Sequence, residues 1–574
     1  TKLAAVCIAI LLGAVVWELG WPLTRAEHEW SRLIAAVATL GHLTGILGSY
    51  FRKEINRPSL RLLIFQIISC LMIFLLIARE QQEAGYMRFT ELSRLVITAG
   101  LIAIPTLMSL TRIFEWLVGK QKKGRPLMAP AMQFVASLGV VILAGTGLLL
   151  LPNSTYPGIT LSFTDALFTS TSAVCVTGLN AVDFAHTFTP LGEMFTLALI
   201  QIGGFGIMTF AYFVAMVAGQ GFSLRDRVLL TDLLDEDNLG AVVSFITTIV
   251  VSTLFIELCG AVLLYFSWEG KDINLMGEPL WWHSLFHSVS AFCNAGFSTF
   301  PMNLMEPGIR LCYSGQAVIM ALIVCGGLGF GIYKEINSRL ANRFFSKHRR
   351  LHMQWTPYFK LVMISTGILL AGGALAIFAV SSPHAAEPLG EHLWICLFDS
   401  VTARTAGFNI SDYSRYLPAA SLIMCGLMMV GGSPGGTAGG MRTTTCAIAG
   451  AEILRILRGR DHVEFFRRRI DQRTVARCVI TVVVSCAWIG CFTVLICALE
   501  PSMSSLDIFF ENCSAFATVG VSRGITPDLS DPSKYLLIVN MLSGRVGLFA
   551  FLIALAGTPT PRHYRYPSVK IPLT

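Results

Sequence analysis

The sequence predicts an all-α polytopic membrane protein with four parallel helix–pore helix–helix repeats around one pseudo-fourfold pore, plus four extra N-terminal transmembrane helices. Three observations predict this fold: the composition, the number of long apolar runs, and a segment that recurs four times. Of the 574 residues, 54% are hydrophobic and 14% are charged, and the mean hydropathy is +0.64. These values exclude an ordinary soluble globular domain.

Twelve apolar runs have the length of about 20 residues that a helix needs to cross a bilayer. Four precede the recurring segments, and the other eight flank those segments in pairs. The runs lie near 1–19, 31–50, 60–78 and 93–111, and then at 129–151, 189–217, 243–267, 311–333, 358–381, 417–452, 474–499 and 535–557. A signal peptide is the competing interpretation of the first run. It is disfavoured because no small-residue cleavage site precedes another apolar run, and Trp17, Glu18 and Trp21 resemble an interfacial anchor.

A segment rich in aromatic and hydroxyl residues runs into a single glycine four times. The glycines are Gly178, Gly296, Gly407 and Gly520, at spacings of 118, 111 and 113 residues. A nearly constant period predicts a quasi-fourfold body, and in a membrane such a body can enclose a pore. The predicted units are an N-terminal four-helix segment at 1–126, three pore repeats at 127–240, 241–356 and 357–472, and a fourth repeat with the C-terminal tail at 473–574.

Each recurring segment begins with a stretch that is too short to span the bilayer and too apolar for a surface loop. This predicts a pore helix that enters the membrane and returns, which is tolerated where the backbone lines water or is buried in protein. The residues beside the glycines carry no charge, so selectivity would come from backbone carbonyls that replace the hydration shell of an ion. The predicted ion-binding residues of this filter are Val176, Thr177, Gly178, Asn294, Ala295, Gly296, Thr405, Ala406, Gly407, Thr518, Val519 and Gly520.

Lysine and arginine predict the orientation. The loops that carry the glycines hold few basic residues, whereas 334–360 holds seven and 455–477 holds eight. By the positive-inside rule, both termini lie in the cytoplasm and the four glycines lie at the outer face. The net charge of +8 is therefore attributed to topology, with contact to anionic lipid as a secondary effect, and nucleic-acid binding is not expected.

The segments TSAVCVTGL, SAFCNAGF, TARTAGFN and SAFATVG, in this order, resemble those of the potassium-translocating membrane subunits of the Trk/Ktr/HKT superfamily. The resemblance covers roughly 129–557. It implies a conduit for monovalent cations, with one pore in each protomer of a homodimer in the bacterial inner membrane. In that family, glycine at all four filter positions is associated with selectivity for potassium. K⁺ at the filter residues is therefore the implied transported ion. No cofactor is expected in the chain.

The resemblance also implies a partner. Family members of this type work with a cytosolic nucleotide-binding regulatory subunit that pulls on the gate. The basic loops 334–360 and 455–477 are the natural surface for it. The interpretation that these loops only fix the topology is equally open.

A glycine-rich string interrupts the inner helix of the third repeat, where 428–445 reads MMVGGSPGGTAGGMRTTT. So many glycines around a proline cannot continue a regular helix. The resemblance implies that this loop obstructs the path below the filter as a gate, and a kink that only packs is the alternative. The predicted gate residues are Gly431, Gly432, Ser433, Pro434, Gly435, Gly436, Thr437, Gly439, Gly440 and Arg545. Tighter glycine strings at 202–208, 325–331 and 543–549 are interpreted as helix-packing positions.

Several charged residues fall within apolar segments. Arg545 lies inside the last inner helix, where a lone arginine should face a cavity or a partner. In similar proteins an arginine at this position contacts the gate loop. Arg404 is expected to pair with Asp399 and brace the third filter segment, and direct contact of Arg404 with the ion is the alternative. Three acidic residues of the pore helices either concentrate cations at the mouth or cap those helices, and these are Asp165, Asp507 and Glu511.

Two classes of transport remain open at this point. A channel-like potassium conduit is favoured because the repeats are parallel and carboxylates near the midplane are scarce apart from Glu257. A sodium- or proton-coupled potassium symporter is the alternative. An enzyme is not expected, since no catalytic or phosphate-binding motif is found. His283 and His287 have metal-ligand spacing, but two histidines without a third ligand are better explained by a re-entrant helix in polar surroundings.

Overall fold

The computed structural model describes residues 130–206, 242–345, 355–381, 388–549 and 551–552, together with isolated positions between 10 and 37. The predicted N-terminal helices at 60–78 and 93–111 lie outside these residues. Those at 1–19 and 31–50 are described only at isolated positions. The continuation of the first repeat at 207–241 also lies outside.

The described chain is almost entirely helical, and one order of helices recurs four times. A long outer helix is followed by a short helix, a turn that contains one of the four glycines, and an inner helix. The first two repeats contain α1 (Pro130–Leu149), α2 (Phe163–Cys175), α3 (Pro190–Phe205), α4 (Val242–Trp268), α5 (Leu280–Cys293), α6 (Tyr313–Leu328) and α7 (Phe330–Phe345). The last two contain α8 (Pro357–Val380), α9 (Leu389–Thr402), α10 (Pro418–Met429), α11 (Thr443–Leu457), α12 (Gln472–Leu499), α13 (Ser505–Ala517) and α14 (Asp531–Val546).

Short elements fill the connections. Single α-helical turns lie at Phe184–Thr187 and Pro307–Arg310, and 3-10 turns at Pro152–Ser154, Asn303–Met305, Tyr413–Arg415 and Thr526–Asp528. A two-stranded antiparallel hairpin joins α11 to α12, with β1 at Glu464–Phe465 and β2 at Arg468–Arg469.

At the far end of α12, Glu500 accepts hydrogen bonds from Ser530 and Ser533, which ties this helix to the start of α14. The bond from the Ser530 hydroxyl is the main cause that lowers the pKa of the Glu500 carboxyl.

Three described helices are long and apolar enough to cross a membrane, namely Ile246–Trp268, Pro357–Val380 and Gln472–Leu499. The bent pair α6 and α7 makes a fourth if it is counted as one span. Leucine, valine and phenylalanine side chains on the outer faces of these helices are more than half exposed, for example Phe255, Phe266 and Val494. Apolar side chains that face away from the protein suit a lipid environment.

The short helices of the four repeats have 13 or 14 residues. At 1.5 Å per residue they are about 20 Å long, which is less than the hydrocarbon core of a bilayer. Each packs against the inner helix of the repeat before it, and α2 of the first repeat packs against α14 of the last. The short helices therefore lie inside a closed ring of helices.

Three inner helices end at glycines of the strings interpreted from the sequence as helix-packing positions. The ends of α3, α6 and α14 fall at Gly206, Gly329 and Gly547, with φ of 76°, 90° and 89°. After Gly329 the chain turns by 93° into α7. A positive φ ends a right-handed helix and is readily adopted by glycine, so the glycine strings are helix breaks as well as packing positions.

Candidate functional site

The four glycines predicted for the filter lie together at the centre of the ring of helices. All four have positive φ, between 70° and 92°. Each one faces the carbonyl oxygen that precedes the next glycine, and the fourth faces the oxygen that precedes the first. A Cβ added at Gly178, Gly296, Gly407 or Gly520 would lie 2.3, 2.7, 2.7 or 2.1 Å from the carbonyl oxygen of Ala295, Ala406, Val519 or Thr177, respectively. A side chain larger than hydrogen therefore does not fit at any of these positions.

The segments 176–178, 294–296, 405–407 and 518–520, which we call the glycine segments, are completely buried. The residue two places before each glycine also has positive φ, at Val176 (57°), Asn294 (61°), Thr405 (68°) and Thr518 (51°). Non-glycine residues in this region cost about 1–3 kcal/mol each and persist only where the surroundings enforce them. Four such residues at matching positions show that the packing around the ring holds an unfavourable backbone shape in place.

Hydroxyl groups at the ends of the short helices hold the glycine segments. Ser172 accepts a hydrogen bond from the Gly178 amide at 3.0 Å, and Ser514 accepts the equivalent bond from Gly520 at 3.0 Å. In the other two repeats the hydroxyl donates to a carbonyl beyond the glycine, from Ser290 to Phe297 and from Thr402 to Phe408. Sequence reasoning missed these positioning groups, although a Ser or Thr stands five or six residues before every glycine.

In the third repeat, the stretch from the positioning hydroxyl residue to the glycine is one residue shorter than in the others. The local structure of the third repeat differs accordingly. Gly407 is the fifth residue after Thr402, whereas Gly178 is the sixth residue after Ser172. The short helices α2, α5 and α13 end directly in a left-handed residue, but α9 ends at Ala403 in the right-handed conformation. The left-handed turn follows two residues later, at Thr405.

Residues 431–440, which we call the glycine-rich loop, interrupt the third inner helix between α10 and α11. The base of the loop is closed by pairing of Val430 with Met441. Its body is bonded to the break between α6 and α7: the Ser433 amide donates to the Gly327 carbonyl at 2.9 Å, and the Phe330 amide donates to the Gly435 carbonyl at 3.0 Å. Thus the loop of one repeat is docked on the helix break of the repeat before it.

The glycine-rich loop also lies directly against the fourth glycine segment. A Cβ added at Gly439 would lie 2.1 Å from the Thr518 hydroxyl oxygen, and one at Gly440 would lie 3.1 Å from the Ala517 Cα. On its other side, the Tyr358 hydroxyl donates to the Pro434 carbonyl at 2.9 Å. Glycine is required at these places because the loop backbone approaches its neighbours so closely.

Arg545 contacts the glycine-rich loop, as its sequence position suggested. Its guanidinium donates to the carbonyl oxygens of Thr437 and Gly203, and thereby links the loop to the end of the first inner helix. Arg442, which the sequence did not single out, donates to the Ala438 carbonyl within the loop. Whether the loop and Arg545 act as a gate stays a prediction.

The expected ion pair between Arg404 and Asp399 is wrong. The Asp399 carboxylate instead accepts hydrogen bonds from the hydroxyls of Tyr413 and Tyr416. Arg404 donates to the Gly431 carbonyl at 3.4 Å, so it reaches the glycine-rich loop. A sequence separation of five suggested a pair, but the tyrosine hydroxyls already satisfy the carboxylate.

Polar contacts join neighbouring repeats toward the N-terminal ends of the short helices, and we call these four junctions the seams. In three seams the fourth residue of one inner helix bonds a side chain in the first half of the next short helix, and in the remaining seam Arg523 bridges the two. Trp282 donates to Glu193 and Trp394 donates to Gln316, both at 2.6 Å. Lys534 pairs with Asp165 at 2.8 Å, and Arg523 links Asp507 (2.6 Å) to the hydroxyl of Ser421 (2.5 Å).

Two of the three acidic residues considered for the pore mouth are therefore engaged in these seams. Glu511, the third, accepts hydrogen bonds from Ser522, Thr526 and the Arg523 amide, beside the fourth glycine segment. Asp165 also bonds the hydroxyl of Ser162, which caps α2. All three carboxylates thus join elements of the ring to one another.

The two histidines of α5 bond hydroxyl groups that lie just after the second glycine segment. His283 bonds the Thr299 hydroxyl at 2.6 Å, and His287 bonds the Ser298 hydroxyl at 2.9 Å. The part of the chain that the structure describes holds no cluster of three or more His, Cys, Asp or Glu side chains suited to a metal ion. Hydrogen bonds within the protein account for both rings.

A family model for TrkH, described as a cation transport protein, matches residues 97–566. The chain belongs to the TrkH family of cation transport proteins. Among its relatives, Ktr system potassium uptake protein B of Bacillus subtilis (strain 168) is 34% identical over 446 residues, which cover 75% of this chain and 94% of the relative. Ktr system potassium uptake protein D of the same organism is 32% identical over 448 residues, with coverage of 77% and 97%.

Two further comparisons extend this result. The potassium/sodium uptake protein NtpJ of Enterococcus hirae is 32% identical over 466 residues, which cover 79% of this chain and 99% of the relative. The crystal structure of the potassium transporter TrkH from Vibrio parahaemolyticus matches with a TM-score of 0.59 at 18% identity, over 79% of this chain and 91% of that chain. At that identity the structural match shows the fold.

Membership of the TrkH family makes this chain a membrane transport protein and not an enzyme. The resemblance to the Trk/Ktr/HKT superfamily that the four segments suggested is thereby confirmed. The family match includes all four glycine segments and the glycine-rich loop.

Proposed function

We propose that this TrkH-family protein takes up potassium ions across the bacterial plasma membrane, through a filter formed by the four glycine segments. The observation that carries the proposal is the closed ring of Gly178, Gly296, Gly407 and Gly520, each set against a carbonyl oxygen of the next segment. Buried backbone carbonyls gathered around one axis can replace the hydration shell of a monovalent cation. Relatives named as potassium uptake proteins support K⁺ as the substrate.

We further propose that the four helical repeats surround a single pseudo-fourfold pore. Cyclic packing of the short helices and the equivalent polar contact in each seam support this arrangement. The unit boundaries are those expected from the sequence: 127–240, 241–356, 357–472 and 473–574, after an N-terminal segment at 1–126.

The glycine-rich loop is proposed as the gate of this pore. It lies against Thr518 at the foot of the fourth glycine segment and is held by Arg545 and by the break after α6. A loop with many glycines and few side chains can be displaced at low cost once these bonds are released.

A cytosolic nucleotide-binding regulatory subunit and a second copy of this chain are the proposed partners. The basic stretches 334–360 and 455–477, predicted as loops, include most of α7 and the whole β1–β2 hairpin, and they offer positive charge to such a partner. Because α7 begins at Phe330, whose amide bonds the glycine-rich loop, a pull on α7 would reach the gate directly.

A sodium- or proton-coupled symporter is the second candidate. The relative named as a potassium/sodium uptake protein and the buried carboxyl of Glu257 in a membrane-spanning helix favour it. A coupled mechanism requires K⁺ flux to depend on a second ion gradient.

Reconstituted protein in liposomes should carry K⁺ down its concentration gradient. We expect the flux to be unchanged by an opposing sodium or proton gradient if the protein is a conduit, and to stop or reverse if it is a symporter. Empty liposomes are the control for leakage of the membrane. Liposomes with the Gly178→Ser variant are the control for passage through the proposed filter. Absence of K⁺ flux in well-incorporated protein, both unsubstituted and with residues 433–439 of the gate deleted, would refute the proposed function.

The orientation is tested by cysteine labelling. The sequence favours probes at Ser154 and Ser346, but Ser154 is fully buried and Ser346 lies outside the described residues. Thr160 and Glu464 are exposed alternatives in the first outer connection and the β1–β2 hairpin. An impermeant thiol reagent should label Thr160→Cys from outside and Glu464→Cys from inside, above the background of the unsubstituted protein. Labelling of both from the same side would exclude the proposed topology.

A further inference from the structure

A buried carboxyl group lies directly behind the second glycine segment. Glu257, in the middle of α4, is 3% exposed. Its Oε2 accepts a hydrogen bond from Gln201 Nε2 at 3.0 Å, and the Cys293 Sγ lies 3.6 Å from its Oε1. Neither neighbour carries a positive charge, although a buried carboxylate normally requires one.

The other three repeats show what this position contains when no carboxyl is present. In every repeat a polar side chain of the short helix donates to a carbonyl of the outer helix, which aligns the repeats residue by residue. The donors Ser170, Ser288, Ser400 and Asn512 reach the carbonyls of Ile142, Glu257, Leu370 and Ile489. Glu257 therefore stands where the equivalent residues are aliphatic.

The partner of Glu257 is equally unusual. Gln201 is the twelfth residue of the first inner helix, and the twelfth residues of the other three are Val324, Met429 and Leu542. Four junctions between repeats are described by the structure. Of these, only the junction between the first and second repeats has polar side chains at the positions of Gln201 and Glu257. A polar pair at one of four equivalent apolar positions is costly and calls for a function.

The three side chains form a complete hydrogen-bonded ring when Glu257 carries a proton. Gln201 Nε2 donates to Glu257 Oε2, the protonated Oε1 donates toward Cys293 Sγ, and the thiol lies 3.7 Å from Gln201 Oε1, which it can donate to. Loss of the proton leaves Gln201 Oε1 without its donor, because the thiol must then turn to the carboxylate. In a low-dielectric site with no basic contact, the neutral form is favoured.

Cys293 connects this ring to the ion path. It immediately precedes Asn294, the left-handed residue of the second glycine segment. The packing leaves no room for adjustment, since a Cβ added at Gly204 would lie 2.4 Å from Cys293 Sγ. A change at Glu257 is therefore transmitted to the backbone of Asn294, Ala295 and Gly296.

We propose that Glu257 is a positioning residue that, as a protonated carboxyl bonded to Gln201 and Cys293, fixes the second glycine segment for K⁺ binding. Ionisation of Glu257 then distorts the segment and weakens K⁺ binding at high pH. This inference rests on the proposed function, and it makes the filter itself sensitive to pH from within the membrane.

Other titratable groups on the helices around α4 have different partners. On α5, His283 and His287 bond Thr299 and Ser298, and on α3, Glu193 bonds Trp282. On α6 and α7, Tyr333 bonds the Cys325 carbonyl and Glu335 pairs with Arg339. The Cys325 thiol, Tyr313 and Lys334 complete the described titratable groups on these two helices. Arg545 on α14 interacts electrostatically with Cys293. Within the described residues, Cys293 is therefore the titratable side chain in contact with the Glu257 carboxyl.

The test measures K⁺ uptake into liposomes from about pH 6 to about pH 9, which spans the range where a buried carboxyl ionises. We expect the KM for K⁺ of the unsubstituted protein to rise several-fold toward alkaline pH. Glu257→Gln, which keeps a neutral hydrogen-bonding group, should show a flat KM within about twofold of the low-pH value. Glu257→Leu should raise KM about tenfold at every pH, because Gln201 and Cys293 lose their partner.

Leu370→Met, at the equivalent apolar position of the third repeat, is the matched control and should leave KM and its pH profile unchanged. An unaltered pH profile in Glu257→Gln would overturn the inference, and so would a normal KM in Glu257→Leu. Either result is compatible with K⁺ flux through the unsubstituted protein, so failure here is distinguishable from failure of the proposed function. Should Glu257→Leu not fold, the Glu257→Gln profile still decides.

Discussion

Replacing Gly178 with serine is expected to lower the preference for K⁺ over Na⁺ by about tenfold or more, since selectivity depends on the placement of carbonyl oxygens. Gly178 has a φ of 92°, which a serine adopts only with strain. The new Cβ would lie 2.3 Å from the Ala295 oxygen and 3.1 Å from the Gly296 Cα. Because both are backbone atoms, the second glycine segment must move. The measurement is the ratio of K⁺ to Na⁺ flux in liposomes.

Gly158 provides a matched control for this substitution. Its φ of 91° is almost the same, but a Cβ there would meet nothing within 4 Å. Gly158→Ser therefore introduces the same backbone strain without a clash, and we expect it to retain the selectivity of the unsubstituted protein. Equal selectivity in both variants and the unsubstituted protein would show that Gly178 is not part of the filter.

The repeated segments could be recognised from the sequence because their chemistry is local. A short apolar helix that is followed by two uncharged residues and a glycine predicts a turn whose backbone needs the freedom of glycine. The sequence accordingly identified Gly178 and its three equivalents, which the structure brings into one ring. The assignment of these residues to an ion filter stays a prediction until flux is measured.

The contacts between repeats could not be predicted in the same way, since their partners are far apart in the sequence. Lys534 and Asp165 are separated by 369 residues, and Trp282 and Glu193 by 89. A lysine or glutamate near a helix start is ordinarily a solvated residue or a cap. Only the packing of one inner helix against the next short helix reveals these pairs.

Helix breaks were missed for a different reason. Strings such as IGGFGIM at 202–208 are typical of close helix packing, and the structure indeed sets Gly203 against the Val174 carbonyl. The positive φ of Gly329 occurs beside a tertiary contact, the bond from the Phe330 amide to the Gly435 carbonyl of the glycine-rich loop. Sequence alone does not distinguish a glycine that packs from a glycine that turns.

Deleting residues 433–439 is expected to increase K⁺ flux several-fold or more. The deleted part includes the bonds from Ser433 to Gly327 and from Arg545 to Thr437, and it removes the backbone that lies against Thr518. Pairing of Val430 with Met441 keeps the two ends of the loop together, so the flanking helices α10 and α11 can remain in place. Initial rates of K⁺ uptake at equal protein incorporation provide the measurement.

Arg545→Ala should act in the same direction, because it releases the loop without shortening it. Hydrogen bonds to a charged group contribute about 1.5–3 kcal/mol each, so loss of the bond to Thr437 shifts the closed-to-open equilibrium of the loop by about tenfold or more. Arg545→Lys keeps the charge but not the fork that reaches both Thr437 and Gly203, and an intermediate flux is expected.

Combining the deletion with Arg545→Ala tests whether the two changes act on one element. If Arg545 controls flux only by holding the loop, the double variant should conduct no faster than the deletion alone, since nothing remains to be released. Additive increases would mean that Arg545 also limits flux directly, by its charge beside the path. A deletion variant that folds, reaches the membrane and conducts no faster than the unsubstituted protein would show that the loop packs the helices and does not close the pore.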